Sequence, residues 1–433
     1  MNHGKLIACH ECDLLQREVP VPEGGGLRCR RCRAQLCREI PNSLERALAF
    51  SIAAAVLFAV SNLYPIVGLS VNGTVVETTL LGAVSALYAD GKWPIAGLVF
   101  ATTVLMPILQ TASMLWLLIP LKFDRLPWGG PLMFRLCHLC QPWGMTEVLI
   151  LGLLVALVKL SAIAGVVVGP ALWSFGTLMF VLAAAGAAFD SRNLWSRVAV
   201  VEHAGALPSL DEASLQGALT AARCGLARCH DCGLLARAQA NAHAHAHAFN
   251  CPRCGAAMHL RKPASLSRTW AFLITAMVMY IPANVLPVMY TNSLFGTEND
   301  TILSGVVYLW TSGSWPLAIV VFVASIAVPM LKILALGYLT ISTQMHSRWH
   351  PVERTRIYRM VEFVGRWSML DIYVITMLVA LVQFQALATI QAGNAAIAFG
   401  AVVVLTMFAA MAFDPRLIWD EVEQDHARTR ETA

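Results

Sequence analysis

Eight stretches of this chain are long and apolar enough to cross a membrane as helices, and no other feature narrows its fold so far. They lie near residues 47–66, 95–121, 145–168, 171–189, 270–290, 316–341, 368–388 and 395–413. Spanning about 30 Å of hydrocarbon takes roughly 17 to 25 helical residues, so each run predicts one span. Of the 433 residues, 57% are hydrophobic and 13% charged. That ratio leaves too little polar surface for a soluble enzyme, and it argues equally against a disordered chain or a small disulfide scaffold. Gly169-Pro170 separates the third run from the fourth, and Gln391 to Asn394 the seventh from the eighth. Both junctions predict tight helical hairpins.

With both termini cytoplasmic, 28 of the 31 Lys and Arg fall in cytoplasmic segments or at their helix ends, the exceptions being Lys92, Lys159 and Lys332. The two longer outer loops carry Glu77, Asp90, Glu298 and Asp300. This asymmetry predicts that orientation. The first 46 residues are polar, basic and cysteine-rich, so the first span is expected to act as an uncleaved membrane signal.

The chain is a tandem duplication. Cys9, Cys12, Cys29 and Cys32 recur as Cys229, Cys232, Cys251 and Cys254; Asn62 and Pro65 as Asn284 and Pro287; Gly91-x-Trp93-Pro94 as Gly313-x-Trp315-Pro316; Pro107 as Pro329; Trp143 as Trp367; and Asp190 as Asp414. The offset drifts only from 220 to 224. Each half reads as one cysteine-rich module followed by four helices. An even number of spans per half makes the repeat parallel, unlike the inverted repeats of many ion-coupled carriers. The predicted fold class is an all-α polytopic membrane protein of two such parallel repeats. Expected domains are residues 1–43, a first ribbon; 44–192, a first four-helix unit; 193–223, a linker; 224–263, a second ribbon; 264–416, a second four-helix unit; and 417–433, a cytoplasmic tail. In the first outer loop, Val71-Asn72-Gly73-Thr74-Val75-Val76 reads as a short hairpin around Asn-Gly.

Two CxxC knuckles sixteen residues apart, and a second pair eighteen apart, each converge four sulfurs on one point, which makes a tetrahedral S4 metal site. Two structural zinc ions are the expected occupants. Iron in a rubredoxin-like site, or disulfides, are the competing chemistries, and a reducing cytoplasm disfavours the latter. A closed four-cysteine shell leaves no coordination position for hydrolysis, so folding and docking are the expected roles. Cys137-His138-Leu139-Cys140 reads as buried packing residues, with a third metal or redox site as the alternative. Cys37 and Cys224 are not assigned to either set. His243, His245 and His247 read as an Ala/His surface loop, with weak chelation as the alternative.

Ionisable groups inside spans are costly and therefore informative. Lys332 lies sixteen residues into the sixth run, about 24 Å down at 1.5 Å per residue. Asp371 lies near the cytoplasmic start of the seventh, which runs the other way, so both are expected in the inner third of the bilayer. Ser325, Ser368 and Thr406 accompany them, whereas the first half places Thr103, Gln110, Gly144, Glu147 and Leu182 at the matching positions. The functional reading is a buried polar relay formed by Ser325, Lys332, Ser368, Asp371 and Thr406; the alternative is a snorkelling lysine and a capping aspartate.

Two cysteine ribbons each followed by four spans, the Cys-His-Glu/Asp-Cys-x-Leu-Leu knuckles at Cys9 and Cys229, Asn62-x-x-Pro65 with Asn284-x-x-Pro287, and Gly-x-Trp-Pro at Gly91 and Gly313 together resemble the paraquat-inducible protein A family. The layout is most similar to its LetA branch. The resemblance implies an inner-membrane protein of Gram-negative bacteria with tetraspanin-like four-helix halves. It also implies a periplasmic MCE-domain partner whose stacked rings form a tunnel, and a role in phospholipid traffic and envelope integrity. The positions Ser325, Lys332, Ser368, Asp371 and Thr406 match a network associated with function in that branch. The histidine-rich loop and the Cys137–Cys140 segment depart from the family pattern. No enzyme activity, catalytic residue or nucleic-acid partner is expected, and no G-x-x-x-x-G-K-[ST] sequence supplies ATP hydrolysis. A membrane redox protein and a passive anchor for the MCE partner are the alternative functions.

Overall fold

The computed structural model describes residues 6–71, 74–144, 146–161, 165–197, 220–238, 249–293, 296–365, 369–381, 383–384 and 388–420. In the first half, hairpins β1 (Leu6–Ala8) with β2 (Leu15–Arg17) and β3 (Gly26–Arg28) with β4 (Gln35–Arg38) form ribbon 1. Helix α1 (Ser43–Leu63) then leads to the hairpin β5 (Val67–Val71) and β6 (Thr74–Thr78), with Val71 opposite Thr74 as the Asn-Gly reading requires. Helices α2 (Leu80–Ala89) and α3 (Trp93–Lys122) follow, then α4 (Gly130–Cys140), α5 (Thr146–Ser161), strand β7 (Gly165–Val168), α6 (Pro170–Ala188) and α7 (Ser191–Arg197).

The second half repeats this order. Ribbon 2 comprises β8 (Leu226–Arg228), β9 (Leu235–Arg237), β10 (Phe249–Asn250) and β11 (Ala257–Met258). Helix α8 (Ser265–Val285), strands β12 (Met289–Ser293) and β13 (Gly296–Asp300), and helices α9 (Ile302–Thr311), α10 (Trp315–Gln344), α11 (Pro351–Val364) and α12 (Leu370–Leu381) come next. Strands β14 (Gln383–Phe384) and β15 (Ala388–Ala392) precede α13 (Asn394–Ala412).

The duplication reaches into backbone irregularities. Both long third helices widen into a π turn, at Ala101–Leu105 and Val323–Ala327, just before Pro107 and Pro329. Proline has no N–H to donate and its ring crowds the carbonyl four residues back, so the helix accommodates it with a wider turn.

Among the described residues, six helices, three in each half, are long and apolar enough to cross a membrane: Ser43–Leu63, Trp93–Lys122, Pro170–Ala188, Ser265–Val285, Trp315–Gln344 and Asn394–Asp420. The chain is thus a mostly helical, multi-pass protein, but two of the eight expected spans need correction. The run 145–168 is α5 plus a strand, and the run 368–388 contains the 12-residue α12 followed by strands. Neither pair of runs forms a tight helical hairpin. Instead β7 pairs antiparallel with β5, Val67 opposite Val168, and β15 with β12, Met289 opposite Ala392. The fold is therefore not all-α: a three-stranded and a four-stranded sheet close the end opposite the ribbons.

Burial in protein explains why these two runs are apolar without being long spans. From Ile372 to Ala380 every residue of α12 is buried, because α12 packs against α5 and α2 of the first half. A helix wrapped in protein is apolar all round, as a lipid-exposed one is, but need not be long enough to span. The halves are also tied by Tyr373, whose hydroxyl donates to Thr102 Oγ1 at 2.9 Å, and by Lys92, whose Nζ donates to Asn394 Oδ1 at 2.8 Å.

Candidate metal centres and polar site

Each of the four CxxC knuckles is shaped by the same local bonds. The N–H of the first cysteine donates to the carbonyl five residues on: Cys9 to Leu14 at 3.0 Å, Cys29 to Ala34 at 2.8 Å, Cys229 to Leu234 at 2.8 Å and Cys251 to Ala256 at 2.7 Å. The residue after the second cysteine, Asp13, Arg33, Gly233 or Gly255, has positive φ and turns the chain back. The result is two groups of four Sγ atoms, each lying within 4.8 Å of one another. Cys9–Cys32 and Cys12–Cys29 stand 3.4 Å apart, and Cys229–Cys254 and Cys232–Cys251 3.5 Å apart. No disulfide joins them. A tetrahedron of thiolates about 2.3 Å from a zinc-sized ion has edges of about 3.8 Å, so the eight sulfurs fit two metal ions. Seven of these cysteines are buried, and Cys232 is partly open.

The ribbons dock crosswise. Ribbon 1 packs against Leu339, Tyr358, Phe413 and Trp419 of the second half, and ribbon 2 against Leu117, Leu121, Phe134 and Trp195 of the first. An arginine secures each contact. Arg359 on α11 grips Glu11 through Nε and Nη2 and donates to the Cys32 carbonyl at 2.8 Å. Arg135 on α4 donates to Asp231 Oδ2 at 2.9 Å and to the Cys254 carbonyl at 2.6 Å. Arg135 and Arg359 are repeat equivalents, as are Glu11 and Asp231, so one clamp is built twice with the halves exchanged. Burial pushes the Glu11 carboxyl up, but adjoining His10 and Arg359 outweigh it and hold it below the usual range. For Asp231, the hydrogen bond with His230 leads in lowering it, with Arg135 adding to the effect. Further ties to ribbon 1 run from Arg261 to Asp13 at 2.8 Å and from Arg192 to Glu18 at 3.1 Å. Neither clamp was foreseen from the sequence, although the recurrence of Arg135 as Arg359 beside the two acidic knuckles was the available signal.

Of the expected polar relay, the structure brings Lys332 and Thr406 together. Lys332 on α10 is 2% exposed, and its Nζ donates to Thr406 Oγ1 on α13 at 2.9 Å, with the Gly365 carbonyl at 3.5 Å. Ser325, in the π turn of α10, is buried, and among the described residues its hydroxyl has no partner. Asp371 stands in the first turn of α12, while its side chain and the whole of Ser368 lie outside the described residues. In the first half, a Cβ on Gly144 would lie 3.2 Å from Gln110 Oε1, so the side chain matching Lys332 reaches the position matching Ser368.

The remaining candidates resolve simply. Among the described residues no third group of metal-ligating side chains converges. His138 instead packs edge-on to His230, with ring centroids 5.7 Å apart, and burial pushes the Cys137 thiol up to about 12. The Cys137–Cys140 segment thus serves the docking of ribbon 2. His243, His245 and His247 lie outside the described residues. Cys37 is buried in β4, and Cys224 packs beside the contact between the ribbons.

Comparison with known proteins accounts for nearly the whole chain. The family model for paraquat-inducible protein A matches residues 44–199 and 266–423, once per repeat. The intermembrane transport protein PqiA of Escherichia coli (strain K12) is 34% identical over 427 residues, covering 98% of this chain and 97% of the relative. The lipophilic envelope-spanning tunnel protein A of the same strain is 28% identical, over 98% and 93%. A probable intermembrane transport protein of Haemophilus influenzae (strain ATCC 51907 / DSM 11121 / KW20 / Rd) is also 28% identical, over 96% of each chain. The first and third are named as transport proteins, and none of the three names describes an enzyme. No solved structure matches the chain. Two family matches in tandem, on a chain whose two halves repeat down to their π turns, place this protein in the paraquat-inducible protein A family.

Proposed function

We propose that this protein is an inner-membrane component of an intermembrane lipid transport system, moving phospholipid between the inner membrane and a periplasmic MCE-domain tunnel and so supporting envelope integrity. The observation that carries this reading is similarity over 98% of the chain to relatives named for intermembrane transport and for an envelope-spanning tunnel. The charge asymmetry supports cytoplasmic termini and ribbons, leaving the two β-sheets on the periplasmic side. In this reading the sheets dock the partner, and each repeat is a ribbon followed by a membrane unit, divided at the boundaries expected from the sequence. The S4 donor sets suit zinc, which would fold the ribbons and hold them in their crossed positions. Ser325, Lys332, Ser368, Asp371 and Thr406 then form the polar relay that biases the transport cycle.

Photocrosslinkers at Asn72 and Asn292, flanking or within the sheet hairpins, should capture an MCE-domain protein in cells. Capture solely through the ribbons would overturn the proposed orientation. Reconstituted protein with its partner should transfer phospholipid between vesicles; a partner that transfers equally well without it would leave the chain only an anchor.

A further inference from the structure

A cavity of about 660 Å³ opens between the ribbon ends of the two halves. Its walls come from parts of the chain that only the fold brings together: His138 and Leu139 of α4, His230 of ribbon 2, Phe363 of α11 and Met411 of α13, with Lys332 also lining it. The volume is that of a small-molecule site and far exceeds what one water needs.

The lining is amphipathic. Leu139, Phe363 and Met411 are exposed apolar side chains, whereas Lys332 is a nine-tenths buried ammonium. Of the other cations lining it, Arg135 is engaged by Asp231 and Arg359 by Glu11, while Lys262 donates to the carbonyls of Met411 and Phe413. Lys332 has three protons to donate, and among the described residues they meet one hydroxyl and one distant carbonyl. A buried lysine amine that lines a cavity offers its N–H donors to an anion entering there. Gly365 leaves the ammonium uncovered: a Cβ there would lie 3.8 Å from Nζ, and the backbone conformation at this residue, φ −51°, does not require glycine.

The level of the cavity identifies the source of that anion. Trp128 and Trp349, 89% and 70% exposed, precede α4 and α11, and these short helices leave Leu132, Met360 and Phe363 exposed. Exposed tryptophans beside short helices with apolar faces mark a membrane–water interface. We propose that this cavity binds a phospholipid from the bordering leaflet, its phosphate on Lys332 and its acyl chains leaving over Leu139 and Phe363. The inference rests on the lipid-transport reading and gives it a loading site.

The test uses the full-length protein in nanodiscs of phosphatidylethanolamine and phosphatidylglycerol. These carry a trace phospholipid with a photoactivatable group on the acyl chain beside the headgroup. Label should map to residues 130–140 and 351–365, and unlabelled phospholipid should compete where millimolar inorganic phosphate does not. Gly365→Leu, which covers the ammonium, and Lys332→Met should each cut this labelling at least tenfold. Gly365→Ser should retain it, and the unfolding temperature of each variant separates loss of the site from loss of the fold. Label confined to the lipid-facing surfaces of the long helices, labelling unchanged in a folded Gly365→Leu variant, or displacement by inorganic phosphate would overturn the inference. Vesicle transfer keeps the two readings apart: undiminished transfer by Gly365→Leu removes the loading site but keeps the transport function. If the wild type transfers nothing, the transport reading fails, and the labelling pattern judges the cavity alone.

Discussion

Replacing Arg359 with alanine should loosen the ribbon that belongs to the other half of the chain. The Arg359 side chain is 34% exposed and Glu11 10% exposed. Removing the arginine strands a mostly buried carboxylate and the Cys32 carbonyl together. Breaking a fully buried pair costs on the order of 3 to 5 kcal/mol; the solvent retained by Arg359 brings the expected loss of docking to about 2 kcal/mol. That corresponds to a roughly 30-fold larger undocked population. The sulfurs of Cys9, Cys12, Cys29 and Cys32 share a buried cluster with Leu339, Tyr358 and Phe413, so undocking uncovers them. Thiol labelling in membranes should therefore speed up roughly 30-fold at these four cysteines and stay unchanged at Cys229, Cys232, Cys251 and Cys254. Arg135→Ala should do the reverse, by roughly 10-fold, because Arg135 and Asp231 are more exposed, at 37% and 18%. Arg359→Met combined with Glu11→Gln strands neither charge and should recover most of the protection. If Arg359→Ala loosened ribbon 2, or neither ribbon, the crossed clamp would be refuted.

Purified protein should carry two equivalents of zinc, read by elemental analysis, and iron at either site would favour the redox alternative. Cys229→Ser should lower abundance in membranes before it changes any transport rate, since metal binding contributes to folding. Gly169→Ala and Gly393→Ala should each cost about 3 kcal/mol, because the added Cβ would meet the carbonyl oxygens of Pro65 and Pro287 at 2.2 and 2.1 Å. Thermal unfolding of each variant checks this, and a wild-type profile would show that the strand-to-helix junction is not so close. Lys332→Met with Asp371→Leu removes both membrane charges; we expect abundant protein that fails to support envelope integrity, whereas full complementation would make the pair structural.

The cysteine spacing, the offset of 220 to 224 and the six long apolar helices were all legible along the chain, because each depends on residues near one another in sequence. A CxxC knuckle closes on itself within a few residues, Pro107 and Pro329 widen their own helices, and a span is recognised by its length. What neighbours an apolar run is not written in the run. Residues 368–388 are as apolar as a span, yet α12 is covered by α2 and α5, and the segment beyond it adds a strand to β12. Burial in protein and burial in lipid select the same side chains, so only the packing distinguishes them. Likewise, the sequence determined that two ribbons and two membrane units exist, but not which ribbon sits on which unit. Repeat symmetry makes Arg135 and Arg359 equivalent partners for Glu11 and Asp231. The tertiary structure decided in favour of the crossed pairs, and it gathered α4, ribbon 2 and α11 around Lys332, because contacts between residues 96 and 348 positions apart depend on how the two halves meet.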